Sequence, residues 1–181
     1  MLGSLIDDNL EIRKIAEEDL PELWALAFKD KNPEWKKWDA PYYAHEALSY
    51  EIFLYKKYDF LNQTSRQAIV LDGEFIGMVT YYYEDEMRKW LEVGILLYEG
   101  KNWGKGIGTR ALRLWIEHLF NEVNLPRIGL TTWSGNTRMI HVAEKLGMTM
   151  EGRMRKVRFY DGEYYDSIRM GVLREEWESI E

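Results

Sequence analysis

Residues 102 to 109 read Asn-Trp-Gly-Lys-Gly-Ile-Gly-Thr, and no other stretch restricts the fold as tightly. Alternating glycines let a backbone turn sharply and pass close to a ligand without side-chain obstruction. Before the loop, Lys89 to Tyr98 reads as a strand. After it, from about Thr109 to Val123, Leu112, Trp115 or Ile116, Leu119 and Val123 keep a helical spacing. A strand that turns through such a loop into a helix calls for a layered α/β fold. Successive N–H groups at the start of that helix would form a concave, partly positive site suited to phosphate oxygens. Taken by itself, a glycine pattern is also compatible with a plain flexible turn.

The flanking pattern fits this architecture. Leu10 to Ile15 alternates as a short strand, and Glu17-Glu18-Asp19 opens a helix through Lys29, acidic where the helix dipole prefers it. Asn32-Pro33 breaks that helix. The segment from Trp35 to Tyr58 carries many aromatics, mostly at helical spacing after Pro41. Gln67 to Leu71 and Glu74 to Tyr83 read as strands around the hairpin signal Asp72-Gly73. Arg127 to Trp133 is a further strand, and Asn136 to Leu146 a helix closed by Gly147. Strands at Glu151 to Tyr160 and Tyr164 to Leu173 flank a second Asp-Gly turn. The order β-α-α-β-β-β-α-β-α-β-β predicts one α/β (α+β) domain over residues 1–181, with a strand meander first and crossover helices later.

Composition narrows the function classes. Cysteine is absent, which excludes disulfides, thiolate metal sites and a cysteine nucleophile, and suits a reducing compartment. His45, His118 and His141 are not spaced with carboxylates as a metal site requires, so no metal is expected and all three read as structural or surface residues. A formal charge of −7 makes nucleic acid an unexpected main partner and mildly favours cationic acceptors such as amines. The residues Met1 to Ile6 meet Asp7 and Asp8 too soon for a signal peptide. No run approaches the roughly 18 apolar residues of a membrane span. The expectation is a cytoplasmic protein without a membrane partner. Eight Trp and twelve Tyr are more than scaffolding needs, and some should line a cleft.

Two familiar phosphate loops do not fit. A mononucleotide loop needs Gly-Lys followed by Ser or Thr, but Gly106 follows Lys105; a dinucleotide fingerprint needs a third glycine where Thr109 stands. Trp103-Gly104-Lys105-Gly106-Ile107-Gly108-Thr109 instead resembles the loop of the GNAT acetyltransferases, in the branch of ribosomal-protein N-terminal and spermidine acetyltransferases. Gly106 and Gly108 match the two small positions, while Trp103 stands where the wider superfamily has Gln or Arg. A second match is Asn136 followed by Glu144-Lys145-Leu146-Gly147-Met148, similar to the family's Asn and its helix ending Lys-Leu-Gly-Phe. On residue type alone, Asn136 also reads as a helix N-cap.

The resemblance implies a GNAT fold, a mixed sheet of about seven strands and about four helices, with a splayed parallel pair. It implies acetyl-CoA as cosubstrate, its pyrophosphate on the amides of residues 103–109 and its pantetheine arm near Asn136, between strands 91–98 and 127–133. A backbone N–H from Leu96, Leu97 or Tyr98 would face the developing oxyanion. The acceptor would be a small amine, a polyamine or a protein N-terminus. An amine with a pKa of roughly 10 is mostly protonated at neutral pH, so a base helps. Glu92 is the candidate, on the strand leading to the loop; an ordinary charged strand residue is its alternative reading. The expected acid is missing: Ala143 and Met139 stand where relatives have Tyr or Ser. That absence keeps a non-catalytic coenzyme A sensor open beside the enzyme. Trp35, Trp38 and Tyr42 fall where the family shapes its acceptor pocket, and packing against the sheet is their alternative. Exposed strand edges leave a homodimer open.

Overall fold

The computed structural model describes residues 3–180; the expected domain limits, 1 and 181, lie outside the described residues. One eight-stranded sheet runs in the order β1-β2-β3-β4-β5-β6-β8-β7. Its strands are β1 (Leu5–Asp7), β2 (Leu10–Lys14), β3 (Arg66–Leu71), β4 (Glu74–Tyr83), β5 (Leu91–Leu97), β6 (Arg127–Trp133), β7 (Thr149–Tyr160) and β8 (Glu163–Leu173). Helices α1 (Leu20–Ala27) and α2 (Tyr50–Tyr55) follow β2, α3 (Ile107–Glu122) joins β5 to β6, α4 (Thr137–Lys145) joins β6 to β7, and α5 (Arg174–Trp177) ends the chain. The mixed class, the antiparallel meander and the later crossover helices are as the sequence predicts.

Each sheet face buries one side of the strands' two-residue alternation. Under α3 and α4, Leu91, Val93, Ile128, Leu130, Leu112 and Ile116 form one core. Under α1 and α2, Leu23, Phe53, Phe60, Val70, Met78 and Tyr98 form the other. Trp115 is fully buried in the first core, and its Nε1 donates to the Thr80 carbonyl at 3.0 Å, so the indole's polar atom is satisfied. Replacing such an anchor with Ala costs roughly 3–5 kcal/mol.

Three local readings need correction. The sheet gains β1, paired antiparallel with β2 through Leu5↔Ile12, because Asp8 adopts a left-handed φ of 52° and turns the chain without a glycine. The aromatic stretch after Pro41 is α-helical only over Tyr50–Tyr55, where Ser49 caps the helix by accepting from the Ile52 N–H at 3.3 Å, with one 3-10 turn at Lys57–Asp59; residues 38–48 are irregular, because their aromatics pack singly on the sheet and cleft rather than on a shared helical face. The short α5 was not expected. It is held by Arg174, whose guanidinium donates to the Phe120, Val123 and Leu125 carbonyls around the end of α3.

The feature that positions the site lies in the middle of the sheet. β4 holds β5 along its whole length, from Gly77↔Leu97 to Tyr83↔Leu91, and β8 holds β6 from Arg127↔Leu173 to Trp133↔Ser167. β5 and β6 themselves are parallel and pair only at Leu91↔Ile128 and Glu92↔Gly129. Past Glu92 the ladder stops and the two strands part.

Candidate functional site

A cleft of about 370 Å³ enters between the parted strands. At one end it meets the glycine loop. Gly104 and Gly106 have φ of +70° and +79°, a conformation that strains any residue with a Cβ, and a Cβ at either would point into open space. Gly106 is also the residue from which α3 departs: the Arg110 N–H donates to its carbonyl at 3.0 Å. The N–H groups of Ile107, Gly108 and Thr109 therefore have no partner within the helix and face the cleft mouth. A sixteen-residue helix adds its dipole at the same point.

The other loop residues are placed unevenly. Trp103 lines the cleft, and its Nε1 donates to the Leu97 carbonyl at 2.8 Å, tying the loop to the end of β5. Lys105 is exposed and does not line the cleft. Arg138, on α4, was not singled out from sequence. Its guanidinium lies 4.4 Å from the Trp38 ring and 4.9 Å from the Trp103 ring, and it lines the cleft with His141 and Lys145. His141 is thus a cleft residue rather than plain surface. His45 reaches the Asp30 carbonyl at 3.1 Å, and His118 stacks on Trp115, where burial lowers its pKa. Asn102 was also missed: it is buried at the cleft wall, and its Nδ2 has no partner. Its one signal in the sequence was adjacency to the loop.

The strand that borders the gap can be sorted residue by residue. The Tyr98 N–H donates to the Ile76 carbonyl at 3.2 Å, so it is already engaged on the β4 side. Its ring is buried against Trp35 and Phe75, and that burial drives its pKa up. Amides alternate direction along a strand. Leu96 therefore shares the β4 side with Tyr98, while the N–H groups of Ile95 and Leu97 point into the open gap. Of the three oxyanion candidates, Leu97 alone has a free amide on the correct side.

Glu92 sits where the ladder stops, and its side chain is fully buried. Oε1 accepts from Trp90 Nε1 at 2.6 Å and from Arg127 Nη1 at 3.0 Å; Oε2 accepts from Thr131 Oγ1 at 3.3 Å. Arg127 also pairs with Glu151, and Arg169 lies 4.0 Å from Glu92 while pairing with Glu84. The guanidiniums compensate a carboxylate that water does not reach. Glu92 communicates with the cleft only through Thr131, which lines it.

One wall of the cleft is aromatic, and it meets the glycine loop where the Trp38 ring centroid lies 6.4 Å from that of Trp103. Trp35 is mostly buried, with Nε1 donating to the Leu26 carbonyl at 3.1 Å, and shows one edge to the cleft. The Trp38 carbonyl accepts from Trp133 Nε1 at 2.8 Å and from Asn136 Nδ2 at 3.1 Å. Asn136 also accepts from the Met139 N–H at 3.1 Å, so it is both the N-cap of α4 and the anchor of the Trp38 segment. Tyr42 packs edge-on to Trp133 with ring centroids 6.0 Å apart, beneath the Arg158 guanidinium. Burial raises the Tyr42 pKa. Ala143 is wholly buried, and Met139 lines the cleft, so α4 presents no hydroxyl there.

Among the described residues no group of three or more His, Cys, Asp or Glu side chains could hold a metal. No helix there is long and apolar enough to cross a membrane.

A family model for the acetyltransferase (GNAT) domain matches residues 9–149, and the chain belongs to that family. Spermidine N(1)-acetyltransferase of Escherichia coli (strain K12) is 28% identical over 171 residues, covering 93% of this chain and 88% of that protein. Ribosomal-protein-serine acetyltransferase of the same organism is 22% identical over 173 residues, covering 89% of this chain and 90% of that one. Spermidine N-acetyltransferase from Vibrio cholerae, solved in complex with CoA and spermine, shares the fold with a TM-score of 0.76 at 19% identity, over 95% of this chain and 99% of that one.

Proposed function

We propose that this chain is an N-acetyltransferase of one domain that moves an acetyl group from acetyl-CoA to an amine, by direct attack and without a covalent enzyme intermediate. The observation that carries the reading is the gap between β5 and β6, which leads away from the free amides at the start of α3. The site suits a diphosphate on an apolar arm. Two positive-φ glycines leave room for phosphate oxygens, the amides of residues 107–109 supply donors, and Arg138 and Lys145 supply nearby positive charge. Acetyl-CoA would supply an activated thioester with a thiolate leaving group.

The chain's own residues then divide the work. The Leu97 N–H, unpaired and directed into the gap, donates to the thioester carbonyl oxygen as charge grows on it; one such donor is worth roughly 2.7–4 kcal/mol of barrier. Glu92 acts as proton acceptor for the amine through the Thr131 hydroxyl, which bridges its Oε2 and the cleft. Trp35, Trp38 and Tyr42 bound the acceptor. Arg138, stacked between Trp38 and Trp103, links that wall to the cofactor loop. A thiolate with a pKa of about 8.5 leaves without obligatory protonation, which accommodates Ala143 and Met139.

The experiment is calorimetry with acetyl-CoA on wild type and Gly106→Glu. We expect binding by the wild type and at least a hundredfold loss in the variant, because a side chain at φ +79° strains the loop and its carboxylate repels phosphate. Equal binding by both contradicts the loop assignment. The absence of an α4 hydroxyl favours one second reading, a coenzyme A sensor. Thiol release that stays at background with every amine and N-terminal peptide tried, despite acetyl-CoA binding, would select it.

A further inference from the structure

At the closed end of the β5–β6 seam, charged side chains form a chain of alternating sign across one face of the sheet. Linked by contact, they run Glu84, Arg169, Glu92, Arg127 and Glu151. Glu92 is fully buried and the other four are partly exposed. The strands clear a trough for them. Glu92 pairs with Gly129, and Gly129 with Gly171, so one register row carries a carboxylate and then two bare backbones. The Arg127 guanidinium lies over Gly129 and the Glu151 carboxylate over Gly171, each so close that a Cβ there would collide with it. Glu151 reaches that place as the extra residue of a β-bulge between Met150↔Met170 and Gly152↔Arg169, a device that re-aims a side chain.

The bonds in this chain are shared unequally. Arg127 turns its fork toward Glu151: Nε donates to Oε2 at 2.9 Å and to Oε1 at 3.1 Å, and Nη2 donates to Oε2. Glu92 receives Nη1 alone, at Oε1 and 3.0 Å. Burial acts to lower the Arg127 pKa, but the bonds to Glu151 and Glu92 outweigh it and raise it. Arg169 gives Nη1 to Glu84 at 3.0 Å and stands 4.0 Å from Glu92 Oε1, its guanidinium 5.0 Å from the Trp90 ring. Glu92 Oε2 is thereby left to Thr131. Tyr82, the register partner of Glu92 on β4, also faces it, and burial followed by the Glu92 charge raises the Tyr82 pKa. Lys89 is exposed beside Arg127 and Arg169.

A guanidinium that met Glu92 with its whole fork would take both carboxylate oxygens, and the Thr131 hydroxyl would lose its acceptor. We propose that Glu151 and Glu84 are positioning residues: each holds one guanidinium back from Glu92, which keeps Oε2 free to take the amine's proton through Thr131. In that step the nitrogen bonds to the acetyl carbon and its proton passes to Thr131 Oγ1. The hydroxyl proton passes to Glu92 Oε2, and the carbon–sulfur electrons leave with the thiolate. This rests on the acetyltransferase reading above, with Glu92 as its base.

The test is a double-mutant cycle on kcat, read by thiol release with butylamine, 1,4-diaminobutane and a serine-initiated tetrapeptide as acceptors. Glu151→Ala should lower kcat at pH 7 about fivefold, the effect of roughly one hydrogen bond, with the acetyl-CoA KM unchanged. The deficit should shrink at high pH, where the amine loses its proton unaided. Glu84→Gln should give a smaller loss, because the Arg169 it releases starts 4.0 Å from Glu92. In a Glu92→Gln background neither substitution should have a further effect. Gly171→Ala, whose Cβ would displace the Glu151 carboxylate, should repeat the kcat loss without removing a charge. An unchanged kcat in Glu151→Ala overturns the proposal. So does an equal loss with Glu92 already replaced, which would mean that Glu151 acts on the fold alone. Glu92→Gln as fast as wild type, or a wild type that acetylates none of the acceptors, strikes the underlying reading and this proposal with it. A slow Glu92→Gln beside a normal Glu151→Ala strikes this proposal alone.

Discussion

The two ends of the β5–β6 seam are built from the same two strands and treat polar groups in opposite ways. At the closed end, β5 and β6 share their ladder at Leu91–Ile128 and Glu92–Gly129, and the buried carboxylate of Glu92 has Trp90, Arg127 and Thr131 as partners. At the open end, the amides of Ile95 and Leu97 point away from β4 into the gap, those of residues 107–109 have no partner within α3, and the buried Asn102 Nδ2 has none either. Unsatisfied polar groups are costly to bury and uncommon in folded proteins. The free amides that border the cleft, beside an end where the Glu92 carboxylate is matched, locate where a ligand would supply the missing half. The closed end holds the strands in register so that the open end can part.

Substitutions can test this division. The largest effect on stability should come from the closed end. Arg127→Met leaves Glu92 buried without its nearest guanidinium and should lower unfolding free energy by about 3–5 kcal/mol in denaturant titration. If the ends are separate, the acetyl-CoA affinity of the folded variant stays unchanged; a large loss would show that the seam acts as one unit. Glu92→Gln keeps the size of the side chain and one oxygen to accept from Trp90 and Arg127, but removes the charge and the acceptor for the Thr131 hydroxyl. It should cut kcat about tenfold or more at neutral pH, with recovery at high pH where the amine loses its proton unaided. A pH–rate profile identical to that of the wild type removes Glu92 from the chemistry and leaves it as a structural ion pair.

The smallest effect belongs to Asp39, and its sign is opposite. Its folded-state pKa is raised from 3.8, so the fold disfavours the ionised form. The penalty is fully present above the folded pKa and disappears as pH falls below the unfolded value. Asp39→Asn should therefore raise the melting temperature modestly at pH 7 and leave it unchanged near pH 3. A variant that is less stable at pH 7 would mean that the Asp39 carboxylate holds the fold together despite its desolvation.

The part of the site that follows from local chemistry was legible in the sequence. The glycine loop, the helix after it and the hairpins at Asp72-Gly73 and Asp161-Gly162 each depend on residues adjacent in the chain, and β4 and β6 have the limits that hydropathy alternation indicates. What was not legible depends on distant partners. Arg138 is an unremarkable helix residue until Trp38 and Trp103, from two other segments, close around it. Asp39 reads as one more surface acid in an acidic chain; only the fold shows that it lines the cleft. Glu92 could be placed on its strand, but its partners Arg127 and Thr131 come from β6, across a junction that no pattern within β5 announces. The irregular course of residues 38–48 escaped for the same reason, since Trp133 and Asn136 hold the Trp38 carbonyl from across the cleft.

Amide hydrogen exchange with and without acetyl-CoA tests the central claim most directly. In the free protein the N–H groups of Ile95, Leu97 and residues 107–109 should exchange rapidly, because nothing in the chain holds them. Adding acetyl-CoA should slow both groups together, while the amides of Leu91 and Val93 near the closed end keep their rates. Unchanged exchange at Leu97, with protection confined to the closed end or absent, would contradict the account.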